Sequence, residues 1–480
     1  WHCLSLLHYW YPMISRKTVP YKMYARTYVF GCKNQKLNTD SRSKEIAVTG
    51  EQLYDAKTGY GFVTEVNCRS DEMLQLPELS SGFVPAYTDT VGKVTKIITD
   101  DIGCHVDGKY AAGRLGIQEK CMIPLCFRAD VERCGNYQIV LEYQSSAEVM
   151  IFAGPRRLIH RSEGKEQKQS LVFVLNVCDI IPMGRNRIYE RKSIDITLLG
   201  EAVNLCRIKV VQVKCPTIYI AGDSTVNDQS ALYPYRPKNS FCGWGQMLPA
   251  YLNGKAAVSN HAHSGQTVET FRTEGHYAII QAHIRFGDYL LIQFAHNDQK
   301  LASLRAKEGY TDALCRYIEE TLSIGAYPIL VTPVCRNTWR ASGVYADFLE
   351  EYAVACKETA RRYQIPVIDL HGASKDFIIQ KGPKEAARYY YPKDFTHPND
   401  YGAYLLAGMA VREYCRQISG NYAEAYSRLA GLMTQHREWE PGEVSICSDN
   451  TISGTVWYEQ DKETAGQIRS VEELESMIKI

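Results

Sequence analysis

Thr217-Ile218-Tyr219-Ile220-Ala221-Gly222-Asp223-Ser224-Thr225-Val226 decides how this chain reads. A short apolar run of β-formers stops abruptly at Gly-Asp-Ser, the pattern of a buried strand ending in a sharp turn. Open α/β sheets bind their ligands at the carboxyl ends of their strands, and the turn lifts Ser224 there. A serine in that place is a nucleophile if a base reaches its hydroxyl and donors surround the developing oxyanion. Taken alone, Asp223 and Ser224 read first as a turn or as the cap of the next helix. What lies on either side decides between the two.

Downstream of Pro216 the pattern alternates between strand and helix. Strands are expected at 217–221, 255–260, 288–294, 327–332 and 365–370. Between them run stripes with helical spacing: Trp244, Met247, Leu248, Tyr251 and Leu252, then Leu314, Tyr317, Ile318 and Leu322. Gly343 to Tyr363 and Asn399 to Ile418 are longer helix candidates. Alternating βα units imply a parallel sheet covered on both faces, a doubly wound three-layer α/β/α domain.

Three elements of that domain then line up with Ser224. The second strand runs into Val258-Ser259-Asn260-His261-Ala262-His263-Ser264-Gly265, and Gly265 lets backbone approach a ligand closely, its N–H a candidate oxyanion donor. The third strand ends in Ala295-His296-Asn297-Asp298, where Asn297 offers a side-chain amide at the same sheet edge. Last comes Asp394-Phe395-Thr396-His397, followed by Pro398. An Asp and a His three apart fit one turn, the carboxylate holding Nδ1–H and leaving Nε2 free. Each of these has a plain reading as a turn, a cap or an exposed side chain. At successive strand ends, in the chain order Ser, Gly, Asn, Asp/His, they form a constellation.

Upstream of Pro216 the pattern is different. Short runs such as Tyr137–Tyr143, Leu171–Leu175, Ile194–Leu198 and Ile208–Val213 alternate apolar and polar residues with no helical period between them. They imply a β-sandwich, jelly-roll-like in kind. Tyr60 and Tyr110 are aromatic candidates for stacking on a sugar ring, although such residues more often pack in a core or at an edge. The expected organisation is an N-terminal tail over 1–19, the sandwich over 20–215, the α/β domain over 216–420 and an extension over 421–480. In the extension, Ala423 to Gln435 is expected to be helical and 443–459 to hold two strands, and Ser470-Val471-Glu472-Glu473 has the form of a capping box.

Composition narrows the partners. At 480 residues, 45% hydrophobic and 23% charged, the chain is long enough for two or three packed domains. A formal charge of +1 gives no bulk field for nucleic acid or an anionic membrane. No apolar run approaches the roughly 18 residues of a membrane span. Trp1 to Met13 is apolar but lacks the basic start and small-residue cleavage site of a signal peptide. Sixteen cysteines without a Cys-x-x-Cys pair, Cys121 and Cys126 being closest, point to free thiols and a cytoplasmic, reducing location. Neither a metal-ligand cluster nor a dinucleotide fingerprint is visible.

With these residues in place, the chain resembles the SGNH (GDSL-type) hydrolase superfamily. Gly222-Asp223-Ser224, Gly265, Asn297 and Asp394-x-x-His397 match its four blocks. Within it, the chain is most similar to the rhamnogalacturonan acetylesterases, the twelfth carbohydrate esterase family. Gly243-Trp244-Gly245, Asn260-x-Ala262-x-x-Gly265, His296-Asn297-Asp298, Thr332-Pro333-Val334 with Arg336, and Thr396-His397-Pro398-Asn399 carry that similarity over about 216–420. Tyr28-Val29-Phe30-Gly31 and Gly59-Tyr60-Gly61-Phe62 resemble the sandwich that precedes the esterase domain in some members.

The resemblance implies a metal-free and cofactor-free serine acetylesterase. Its catalytic residues are Ser224, Asp394 and His397, and its oxyanion donors are Ser224, Gly265 and Asn297. Its implied substrate is an acetylated, pectin-derived oligosaccharide of rhamnogalacturonan type. The alternatives are another acetylated glycan such as xylan, small acyl esters, or a carbohydrate-binding protein with a degenerate hydrolase domain. Two departures stand out: Ala295 replaces the usual glycine before His-Asn-Asp, and Gln266 stands where many members carry arginine.

Overall fold

The computed structural model describes residues 24–31, 44–63, 83–85, 96–107, 124–182, 186–189, 192–200, 203–233, 235–340, 342–418, 422–436, 439–441 and 457–459. The tail over 1–19, Tyr110, Cys121, the first of the two strands expected within 443–459 and the capping box at Ser470 lie outside the described residues.

Before Pro216 come β1 (Ala25–Phe30), β2 (Lys44–Val48), β3 (Tyr60–Val63), β4 (Phe83–Pro85), β5 (Lys96–Thr99), β6 (Cys104–Asp107) and β7 (Leu125–Asp130). They are followed by β8 (Gly135–Ser145), β9 (Val149–Ala153), β10 (Arg157–Ser162), β11 (Lys165–Val177), β12 (Ser193–Gly200) and β13 (Val203–Val213). One sheet has the order β11-β8-β13-β1-β2 with β5 and β6 attached, and a second has the order β10-β9-β12-β7-β3. Alternate residues of both sheets meet in one core that includes Tyr28, Phe62, Phe127, Ile139, Leu141, Ile196 and Leu205. Tyr60 is spent in this packing, its ring 5.4 Å from that of Tyr28.

After Pro216 come β14 (Thr217–Gly222), β15 (Ala231–Tyr233), β16 (Ala257–Asn260), β17 (Tyr289–Gln293), β18 (Tyr327–Val331), β19 (Thr338–Arg340) and β20 (Val367–Ile368), with β21 (Trp457–Glu459) at the far end. The five expected strands pair in parallel in the order β16-β14-β17-β18-β20. Among the described residues, the helices of eight or more residues are α1 (His276–His283), α2 (Thr311–Ser323), α3 (Glu350–Tyr363), α4 (Leu370–Ala386) and α5 (Asp400–Ile418). Tyr219, Leu290 and Leu330 face a core shared with α1, α2 and α3, while Ile218, Ile220, Leu291 and Ile329 face one shared with α4 and α5. The period-2 alternation of buried strands therefore produces three layers. This is the SGNH hydrolase fold.

Two expected helices come out shorter. The segment from Gly343 becomes helical only at Glu350, because the chain first forms β19 and a return bonded through Arg340 N–H to Val344 O and Ala346 N–H to Thr338 O. The Ala423–Gln435 candidate is helical over Glu424–Ala430.

The sheets before Pro216 are not a separate bead. In β9 the sequence Val-Met-Ile-Phe-Ala is buried throughout. Val149, Ile151 and Ala153 enter the N-terminal core, whereas Met150 and Phe152 enter the core of α4 and α5. The β9–β10 turn then inserts Arg156, fully buried, among hydrolase groups: Nη1 donates to Asp400 Oδ2 at 2.5 Å, Nη2 to Phe241 O at 2.7 Å and Nε to Gln229 O at 3.1 Å. β4 also pairs in parallel with β15.

Candidate active site

Asp223 and Ser224 leave the carboxyl edge of β14. Asp223 Oδ1 accepts the Thr225 N–H at 2.9 Å and its hydroxyl at 2.7 Å, an Asx turn that bends the chain at the serine. From behind, Gln293 Nε2 donates to Thr225 Oγ1 while Gln293 Oε1 accepts from Trp244 Nε1, both at 2.8 Å. The turn is thus fixed by β17 and by the short helix Trp244–Met247.

Ser224 Oγ lies 2.8 Å from His397 Nε2, and His397 Nδ1 lies 2.7 Å from Asp394 Oδ2. Asp394 Oδ1 accepts the Thr396 and His397 N–H groups at 2.6 and 3.0 Å, so its own loop holds the carboxylate in place. Burial pushes the Asp394 carboxyl up, but the hydrogen bond and charge of His397 and the two N–H groups outweigh it and hold it below the usual carboxylate range. Phe241 packs on the imidazole at 4.7 Å between centroids. A carboxylate on Nδ1 sets the tautomer that offers Nε2 as a base to the hydroxyl.

Ser224, Gly265 and Asn297 stand just past the ends of three neighbouring strands, β14, β16 and β17. Gly265 has φ +80, and a Cβ there would meet nothing within 4 Å, so the backbone conformation rather than space calls for glycine. Asn297 occupies the N-cap position of the 3-10 turn Asp298–Lys300 but makes no side-chain cap bond. Instead its Nδ2 donates to Gln266 O at 3.1 Å and its Oδ1 accepts from Lys300 Nζ at 3.2 Å. One of the amide's two N–H donors is used in tying the Asn297 loop to the Gly265 loop.

Beneath the serine lies a buried polar layer that sequence reasoning did not assign. Asp223 Oδ2 faces His296 Nδ1 at 3.3 Å. Burial holds the His296 imidazole below its ordinary range despite that carboxylate. Burial likewise pushes the Asp298 carboxyl up to about 7 and pulls the Arg336 guanidinium down to about 10. Arg336 Nη2 reaches His296 O at 3.5 Å. His296, Asp298 and Arg336 were visible in the sequence only as parts of the family resemblance, since nothing in their spacing marks them as buried together. Ala295, also fully buried, has φ +140, a region that favours glycine.

Two groups among the described residues bring three metal-type ligand atoms within 4.8 Å: Cys134, Asp179 and His283, and Cys335, Asp347 and His371. Neither contains Ser224, Asp394 or His397. In the second, the Lys375 ammonium already sits 2.9 Å from Asp347 Oδ2, the oxygen that also accepts from His371 at 2.9 Å. In the first, Lys192 and His283 share Asp179 at 3.7 and 3.0 Å. A lysine cation already compensates each carboxylate.

Residues 220–405 match the GDSL-like lipase/acylhydrolase family. A rhamnogalacturonan acetylesterase of Bacillus subtilis is 35% identical over 207 residues, 40% of this chain and 87% of that protein. A second Bacillus subtilis protein, described as a probable rhamnogalacturonan acetylesterase, is 33% identical over 206 residues, 41% of this chain and 90% of its own length. Among solved structures, the Bacillus subtilis protein YxiM aligns with 83% of this chain and 100% of its own at 23% identity and a TM-score of 0.42.

Proposed function

The chain belongs to the GDSL-like lipase/acylhydrolase family, and from that premise we propose that it is a carbohydrate O-acetylesterase that removes acetyl groups from pectin-derived, rhamnogalacturonan-type oligosaccharides through an acyl-serine intermediate. The observation that carries this reading is the unbroken line from Ser224 Oγ to His397 Nε2 and from His397 Nδ1 to Asp394, at 2.8 and 2.7 Å.

In the first step His397 Nε2 takes the Ser224 proton as Oγ attacks the acetyl carbonyl. The Ser224 and Gly265 N–H groups and the Asn297 amide stabilise the oxyanion. The C–O bond to the sugar breaks as His397 returns the proton to the departing alkoxide. In the second step His397 takes a proton from water as the hydroxide attacks the acetyl carbon, and returns it to Ser224 Oγ as the acyl C–O bond to the serine breaks; the acetic acid released ionises to acetate. Asp394 stabilises the imidazolium formed in each step. Every proton is accounted for by His397 and water, so the chemistry asks for no further group. The two N-terminal sheets around their shared core we read as a sandwich that walls one side of the cleft.

The test is acetate release from acetylated rhamnogalacturonan and xylan fragments by the parent protein and by Ser224→Ala. The expected result is preference for the rhamnogalacturonan fragments and loss of all turnover in Ser224→Ala with an unchanged circular dichroism spectrum. A folded Ser224→Ala variant that still turns over would remove the serine mechanism. Preference for xylan would move the substrate.

A further inference from the structure

A cavity of about 210 Å³ lies between the N-terminal sheets and the hydrolase sheet. Its N-terminal wall includes Arg128, Tyr189 and Asp195, and its hydrolase wall includes Asp228, Gln229 and His263. Ser224 and His397 do not line it, so it is not the reaction centre. Its position is nevertheless constrained by the chain. Asp228 is four residues from Ser224 and His263 two from Gly265. At roughly 3.3–3.6 Å per extended residue those steps bridge at most about 14 and 7 Å. An oligosaccharide spans such distances, whereas an isolated acetyl ester does not.

The wall is mechanically joined to the oxyanion loop. Asn227 and Gln229 both donate amide hydrogens to Ser264 Oγ, at 3.0 and 3.2 Å, beside Gly265. From the other unit, Pro182 O lies 3.4 Å from His263 Nε2. A ring seated in the cavity would therefore be held against the loop that carries Gly265.

The chemistry of the wall selects the ring. Arg128 Nε and Nη2 hold Asp195 at 2.6 and 2.8 Å, and Arg157 Nε holds Asp228 at 2.8 Å. Asp179 is compensated by Lys192 and His283. Each of these cations faces a carboxylate, so among the described residues the named pairs leave no surplus positive charge for a uronate carboxylate, although Arg128 Nη1 is buried without a partner and keeps its donor hydrogens unmet. What it offers is polar atoms beside an apolar surface: Gln229 Oε1 accepts no hydrogen bond among the described residues, Tyr189 contributes a half-buried ring, and Ile180 and Ile194 lie beside it. Polar side chains interleaved with apolar ones match a sugar ring, which carries hydroxyls at its rim and C–H groups on its faces, and the volume falls below the about 300–1,000 Å³ of whole-ligand pockets. It suits one ring of a longer chain.

We propose that this cavity is a subsite for one neutral pyranose ring of the oligosaccharide, near the acetylated residue, built jointly by the N-terminal unit and the loop after Ser224. The proposal rests on the acetylesterase reading. Tyr189→Ala removes the ring, and Ser230→Trp, at an exposed lining position, places bulk in the space. In each variant kcat/KM should fall about tenfold more on acetylated rhamnogalacturonan oligosaccharides than on 4-nitrophenyl acetate, chiefly through KM. Equal changes on both substrates in both variants, with melting temperatures like the parent's, would overturn the subsite.

Calorimetry separates its failure from that of the acetylesterase reading. The Ser224→Ala protein is titrated with deacetylated rhamnogalacturonan oligosaccharide, with and without Tyr189→Ala or Ser230→Trp. Binding weakened by either change supports the subsite whatever the esterase assay gives. Binding that ignores both changes, or no binding, overturns it. Absence of acetate release from every glycan, with turnover of 4-nitrophenyl acetate, would instead strike the acetylesterase reading alone.

Discussion

At the scale of single residues, Asn297 separates a structural from a chemical role. A residue that caps a helix with its side chain costs about 0.5–2 kcal/mol of stability when replaced by alanine. Asn297 makes no such cap bond, and its amide instead spans to Gln266 O at 3.1 Å. If the remaining N–H meets the oxyanion, the loss falls on the transition state, where charge appears on the carbonyl oxygen. Asn297→Ala should then lower kcat by about 10²–10³ with little change in KM, the size expected for one oxyanion donor. Near-normal kcat beside a clearly lowered melting temperature would leave Asn297 a loop tie and nothing more.

At the scale of elements, the loop after β17 contains a local conflict between residue and conformation. Ala295 sits at φ +140 with its methyl fully buried against the core of α1, α2 and α3. Holding a non-glycine residue in such a region costs about 1–3 kcal/mol. Ala295→Gly relieves that strain. It also loses a buried methyl, about 0.8 kcal/mol, and admits more freedom to the unfolded chain, about 0.4–1 kcal/mol. The two sides nearly cancel, so the substitution should be neutral or slightly stabilising by urea denaturation, although the site is completely buried. A loss of the full buried-methyl and entropy cost would mean that Ala295 is unstrained. The strain also bears on Asn297, two residues on, since the same turn aims both.

At the scale of the whole molecule, the N-terminal sheets and the hydrolase share structure rather than merely touching. Met150 and Phe152 belong to the hydrolase core, and Arg156 meets Asp400 with both side chains fully buried at the start of α5, three residues after His397. Removing one partner of such a pair leaves an uncompensated buried charge and costs about 3–5 kcal/mol. Arg156→Met should therefore lower the unfolding free energy measured by urea denaturation by that amount, seen as a lower midpoint at unchanged m, and reduce turnover on every ester, because Asp400 follows the His397 loop. Arg156→Met with Asp400→Asn removes both charges and should recover much of the loss. If the single and double variants are equally unstable, packing around Arg156 matters and the ion pair does not. A fragment beginning at Pro216 would expose the surface that Met150 and Phe152 cover and should lose activity on small and large esters alike.

The sequence by itself determined the parts whose physics is local. Five apolar runs between helical stripes dictate a parallel sheet with helices on both faces. Gly222-Asp223-Ser224 dictates a turn at a strand end, and Asp394 to His397 is short enough for one loop to bring carboxylate and ring together. Tertiary structure alone decided what depends on distant chain segments meeting. It brings Ser224 Oγ within 2.8 Å of His397 Nε2 across 173 positions and buries Arg156 beside Asp400 across 244. It also buries His296, Asp298 and Arg336, and that burial, rather than neighbours in sequence, is the largest cause of their shifted titration. The β9 run of five apolar residues carries no polar alternation and is not among the runs that mark the upstream strands in the sequence. Nor is it legible there which two cores the strand joins, because a strand's period fixes that two faces exist and only packing fixes what each one meets.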